Sequence, residues 1–172
     1  MNYSQPIRLL WGFLLAATIF GSNAVAQDAL KTSPSSEAKA RHIHVVYFGG
    51  NDCPPCVAFR GAEFPKLEKS PAFAKLQWTF VTKTVGSPIP SSFFLPAHVK
   101  PHRDKLFEAT GGRGGSAQVV ILVDGEVFDV FHGSGDAAFY TQMVASVLDA
   151  KIAYPGERCL KRDASRSCVK KA

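Results

Sequence analysis

The sequence predicts a single α/β domain, and three observations carry that prediction. Segments rich in β-branched and aromatic residues alternate with segments of helical apolar spacing between residues 41 and 152. Asp124-Gly125 separates two apolar runs as a two-residue hairpin turn, so the last two strands are expected to be antiparallel. With 172 residues, 46% of them hydrophobic, the chain can bury one core and is short for two domains.

Residues 1–26 are set aside as a signal peptide. Arg8 precedes the apolar run Leu9 to Phe20, and Ala24-Val25-Ala26 supplies small residues at −3 and −1 of a cleavage site. Cleavage is expected after Ala26, and the apolar run is short of the roughly 20 residues that a bilayer span needs. No later stretch is apolar enough to span, so the mature chain is expected to be exported without a membrane span. Export places it where disulfides persist, and the four cysteines are an even number, which fits the bacterial periplasm. Residues 27–40, with Thr32-Ser33-Pro34-Ser35-Ser36, are expected as a flexible lead-in.

The domain is expected to begin at Arg41. His42 to Phe48 predicts a buried strand, broken by Gly49-Gly50-Asn51-Asp52. The Cys53-Pro54-Pro55-Cys56 pair sits on that break, and two thiols at this spacing can close and reopen as a disulfide that stores two electrons. Val57, Phe59, Phe64 and Leu67 then recur at roughly helical spacing, with Pro65 expected to bend or divide the helix. Trp78 to Thr82 predicts a second strand. Val85 to His102 is an irregular stretch with four prolines and Phe93-Phe94 in its middle, long enough to be functional or an insertion. A short helix is expected over 100–110, ended by the glycine-rich 111–115, and the hairpin strands cover 118–123 and 126–132. Asp136 is placed to cap a closing helix with Phe139, Met143, Val147 and Ala150 on one face.

This order, with its Cys-x-x-Cys at the first strand-to-helix junction and its late Asp-Gly hairpin, resembles the thioredoxin family over roughly residues 41–152. The resemblance implies a thioredoxin fold, a central mixed sheet flanked by helices, with Cys53 as the attacking thiol and Cys56 as the resolving thiol. Family members carry a cis-proline facing the cysteines just before the strand of the final hairpin. That position falls here on Ala117, so Ser116 and Ala117 are the expected substrate-facing segment. Lacking proline, the Ser116-Ala117 bond is expected to be trans. Tyr47 falls where thioredoxin itself buries an aspartate, and a phenol protonated at neutral pH can at most relay a proton.

Cys53 is expected at the helix N-cap, where unpaired amides favour a thiolate. Pro54 and Pro55 remove two of those amides, and Asp52 adds adjacent negative charge that opposes ionisation. The pair is therefore expected to act on protein thiols and disulfides as a reductase or isomerase-like exchanger rather than an oxidase. It needs no organic cofactor and no metal, and by resemblance it draws electrons from a membrane-bound or exported donor. The alternative is a non-catalytic scaffold that binds metal or a partner, and a third possibility is an assembly factor docking through residues 85–102.

Cys159 and Cys168 lie in a basic tail, 153–172, and are expected to form a structural disulfide, with a second redox pair that passes electrons to the first as the sharper alternative. The formal net charge is +6, concentrated in that tail. Without aromatics to stack bases the tail is expected to be solvated rather than to bind nucleic acid. His42 and His44 share one strand face by period two and are expected to be ordinary strand residues rather than metal ligands. Arg113, in its glycine-rich loop, is expected either to border the site if Ala117 does or to be a solvated turn residue. Val57 rather than His follows Cys56, which excludes a haem-attachment motif.

Overall fold

The computed structural model describes residues 40–169. The expected leader, its cleavage site and residues 27–39 of the lead-in lie outside them. Strand β1 (Ile43–Gly49) is buried along its whole length, as expected of an apolar strand covered on both faces. Strand β2 (Leu76–Thr82) runs parallel to β1 with Phe80 beside Tyr47. Strand β3 (Gln118–Val123) is antiparallel on the other side of β1, with Val119 beside Tyr47, and β4 (Glu126–His132) pairs with β3 to close the order β2-β1-β3-β4. The hairpin turn has positive φ at both residues, 53° at Asp124 and 82° at Gly125, the geometry that the strand twist favours.

Alternation along the strands builds two cores. Ile43, Val45, Tyr47, Val119 and Ile121 face one way. Over them lie α1 (Pro54–Ala58), a π-helical turn (Phe59–Glu63), α2 (Phe64–Glu68) and α4 (Ala137–Leu148). Val46, Phe48, Val120 and Leu122 face the other way, under α3 (Arg103–Ala109) and the loop that precedes it. A fully buried leucine such as Leu67 or Leu106 contributes roughly 1.5–3 kcal/mol to each layer.

The helix after the cysteines divides, as Pro65 requires. Proline cannot donate to Gly61, and the turn ahead of it widens so that Phe64 N–H bonds Phe59 instead. Phe59 and Leu67 are buried, but Val57 is 47% exposed, because the short α1 turns it outward beside the cysteines. Asp136 caps α4 by accepting from Phe139 N–H at 2.7 Å. That helix ends at Leu148, so Ala150 falls in the following exposed turn rather than on the packed face.

The irregular stretch 85–102 is anchored by Ile89, Leu95 and Val99, which are buried in the second core. One expectation changes. The basic tail is not simply solvated. Val130 N–H donates to Cys159 carbonyl at 2.7 Å and Arg162 Nε to Val130 carbonyl at 3.0 Å, so the segment covers the free edge of β4 at Val130, while Arg162 N–H ties it to Ala109 of the helix over 103–109 at 2.8 Å. Among the described residues, no helix is long and apolar enough to cross a membrane.

Candidate active site

The break after β1 places Cys53 at the N-cap of α1, in extended conformation at φ −117°. Its sulfur accepts from Cys56 N–H at 3.3 Å. Cys56 and Val57 N–H both also bond Cys53 carbonyl, and Pro54 and Pro55 have no amide to offer. A single N–H therefore reaches the Cys53 sulfur. The two cysteines form a closed disulfide with their Cα atoms 5.2 Å apart. Cys53 is 2% exposed and Cys56 is fully buried, whereas Pro54, Pro55 and Val57 stand in solvent around them.

Gly49 makes this packing possible. A Cβ there would lie 2.6 Å from the Tyr47 ring and 3.1 Å from Cys56 Sγ, so only glycine lets β1 pass beneath the disulfide. The Tyr47 ring stacks on Phe59 with centroids 5.2 Å apart. Its hydroxyl shares a hydrogen bond with Ser134 Oγ at 2.7 Å. Burial pushes this phenol above its ordinary pKa, against the opposing pull of Ser134. Tyr47 is thus held neutral beneath the disulfide, its hydroxyl turned to Ser134.

The segment before β3 comes up against the cysteines from the other side. Ser116 Oγ lies 3.3 Å from Cys56 Sγ, and Ala117 is buried in the core that also holds Cys53 and Cys56. The Ser116-Ala117 peptide bond is cis, which corrects the expected trans bond. Long-range contacts decide the backbone here: Ala117 carbonyl accepts from Gly133 N–H at 3.0 Å, and Gly115 carbonyl accepts from Lys83 Nζ.

Lys83 escaped sequence reasoning. It is 7% exposed at the end of β2, and its ammonium donates to Ser87 carbonyl at 2.7 Å as well as to Gly115. Burial lowers its pKa to about 8, with Asp52 opposing that shift. The only signal in the sequence was its place just after a strand parallel to β1, which brings it to the same sheet end as the cysteines. Asp52 itself is exposed, and its carboxylate accepts from Val85 N–H at 3.0 Å.

Other candidates lie elsewhere. His44 projects from the face of β1 opposite the cysteines, where its Nε2 meets Thr79 Oγ1 at 3.0 Å and the same hydroxyl meets His98 Nε2 at 2.8 Å. His42 and His44 pack edge to face with ring centroids 6.3 Å apart. They therefore cannot join Cys53 and Cys56 around a common ion. Among the described residues, no group of three or more His, Cys, Asp or Glu is placed to hold a metal. Arg113 is exposed, with its carbonyl accepting from Gln118 Nε2 at 3.1 Å. Cys159 and Cys168 form a second closed disulfide, with Cα atoms 5.5 Å apart. Comparison with protein-family models, with curated proteins and with solved structures gives no match for this chain.

Proposed function

We propose that this protein is a thioredoxin-like thiol–disulfide oxidoreductase of the periplasm, acting on client polypeptides as a reductant or isomerase. The observation that carries the reading is the closed Cys53–Cys56 disulfide at a helix N-cap, flanked by Ser116. The mixed sheet with a parallel first pair and a final antiparallel hairpin supports the thioredoxin resemblance. Two disulfides and the leader-like first 26 residues support export.

In the reduced protein, the Cys53 thiolate attacks one sulfur of a client disulfide. A Cys53–client bond forms, the client S–S bond breaks, and the released client sulfur takes a proton from solvent. Cys56, losing its proton, then attacks Cys53 Sγ. The mixed disulfide breaks, the second client thiol leaves, and the Cys53–Cys56 disulfide remains. Two electrons have passed to the client, and an exported or membrane-bound dithiol donor restores the pair. The preference for reduction follows from donor count. With one N–H at the Cys53 sulfur its thiolate is weakly stabilised, so the dithiol form is a poor resting state and gives up electrons readily.

Pro54, Pro55 and Val57 offer clients an exposed apolar rim around the buried sulfurs. Beside it, Lys83, Thr84 and Ser87 to Ser91 line a groove of about 470 Å³ with Phe94. Phe93 and Phe94 are 81% and 74% exposed and pack edge to face, 5.1 Å between centroids. Two large exposed aromatics, one of them lining this groove, support binding of extended polypeptide over small thiols.

Insulin reduction by the purified protein tests the activity, with Cys53→Ser as control. Turnover that the substitution abolishes is expected. Absent turnover in the wild type, with client capture retained, would instead favour the binding-scaffold reading. Equilibration with glutathione buffers tests the direction, and a potential as oxidising as that of a strong periplasmic oxidase overturns the reductant assignment.

A further inference from the structure

The carboxy-terminal segment reaches the redox site. Cys159 N–H donates to Asp129 Oδ1 at 2.7 Å, and Arg162 Nε donates to Val130 carbonyl at 3.0 Å. The Cys159–Cys168 bond closes the loop anchored by these contacts, and Arg162 and Cys168 form an antiparallel bridge inside it. At the tip, Arg166 takes a left-handed φ of 69°. Its N–H donates to Asp163 carbonyl at 3.1 Å and its carbonyl accepts from Arg162 Nη1 at 3.0 Å, so the backbone is pinned on both sides.

That presentation aims the guanidinium at the shoulder of the site. Arg166 Nη2 lies 3.7 Å from the point where a side chain on Gly115 would begin, and the His132 ring edge lies 3.3 Å from the same point. Gly115 carbonyl is the acceptor of Lys83, and the next residue, Ser116, touches Cys56 Sγ. A guanidinium, an ammonium and an imidazole thus converge one residue away from the disulfide. Burial, together with the positive charges of Arg166, Arg162 and Lys83, holds His132 below its ordinary pKa, an independent sign of a positive field there.

Nearby acids leave the Arg166 charge uncompensated. Among the described residues the ion pairs are Lys66–Glu63, Arg103–Asp104, Lys105–Glu126 and Lys161–Glu108, and none involves Arg166 or Lys83. Asp163 Oδ1 accepts from Ser165 and Ser167 within the loop. Asp52 accepts from Val85 N–H and its charge partly offsets Lys83, with no ion pair to Arg166. An unpaired cation beside a buried disulfide fits a partner that brings its own negative charge.

We propose, building on the exchange function above, that the Cys159–Cys168 loop is the specificity element of the site. Arg166, backed by Lys83 and His132, selects client disulfides flanked by acidic residues. The loop does not take part in the electron transfer itself. It raises the local concentration of acidic segments over Cys53 and lowers that of basic ones.

Single-turnover reduction of three synthetic disulfide peptides, flanked by Glu, Ser or Lys, tests this with the reduced protein. At low ionic strength the Glu peptide is expected to react about threefold faster than the Ser peptide, and the Lys peptide more slowly than either. The differences should close near 1 M salt, where the screening length is about 3 Å. Arg166→Ser should erase the order and Arg166→Glu should reverse it. Equal rates for all three peptides, or an acidic preference that survives Arg166→Glu, overturn the specificity inference while leaving exchange intact. Reduction of none of them by the wild type removes the exchange reading, and the inference falls with it.

Discussion

The Lys83 ammonium donates to the carbonyl of Gly115 from the end of β2 and so ties that strand to the segment that carries Ser116 to Cys56. Its charge is buried, and the sign of the pH effect follows. Folding lowers the pKa from 10.5 to about 8, so between those values the unfolded chain holds the proton more tightly and stability rises with pH. Lys83→Met should flatten that alkaline rise in denaturant midpoints measured from pH 8 to 10. A variant that keeps the wild-type slope would show that Lys83 is not the titrating group.

His44 predicts a second, acidic limb. Burial first, then the neighbouring His98, His102 and His42, lowers its pKa from 6.5 to about 4. Between those pH values the unfolded state binds the extra proton, so stability is lost as pH falls below about 6.5 and the loss levels off near 4. The loss should reach on the order of 2 kcal/mol. His44→Gln keeps a polar partner for Thr79 and should shrink the loss. Urea titrations at pH 7, 6, 5 and 4.5 measure it, and an unchanged profile in the variant would assign the effect elsewhere.

Where the chain declares its structure locally, the sequence is legible. The apolar run of β1, the Cys53 N-cap, the Asp124-Gly125 turn and the Asp136 cap each depend on neighbours within a few residues, and all appear where their local chemistry puts them. The Cys53–Cys56 pair was legible because its spacing carries a motif, whereas Ser116 and Ala117 carry none and were placed only by counting back from Asp124-Gly125 under the thioredoxin resemblance. Lys83 and Arg166 carry none. Lys83 is a single cation just past a strand and Arg166 is one of several in a basic tail, and each reaches the site through contacts with Gly115 across more than thirty residues of chain. The anchors Ile89, Leu95 and Val99 were hidden for a related reason: their spacing fits neither helical nor strand period, so only the second core reveals them.

The exposed aromatic pair should separate protein clients from small ones. Phe93→Ser with Phe94→Ser removes apolar surface that touches no core, so thermal stability should stay within about 0.5 kcal/mol of the wild type. The KM for a protein client with scrambled disulfides should rise about fivefold, as loss of an aromatic anchor implies. Reduction of a small neutral disulfide should be unchanged. Equal losses with both substrates would mean that the pair supports the site's structure rather than docking.

Opening the second disulfide should damage the fold before it damages the chemistry. Cys159 is buried in the second core, and its loop covers the edge of β4. Replacing both Cys159 and Cys168 by Ser frees eight intervening residues and should cost roughly 2–3 kcal/mol by loop-closure entropy. It also unpins the backbone that covers Val130, exposing unpaired edge groups that favour strand addition between copies. The expected outcome is a lower melting temperature with concentration-dependent association in light scattering, while a small neutral disulfide is still reduced at Cys53. Loss of that reduction in a folded, monomeric double variant would instead make Cys159 and Cys168 a second redox pair that feeds the first.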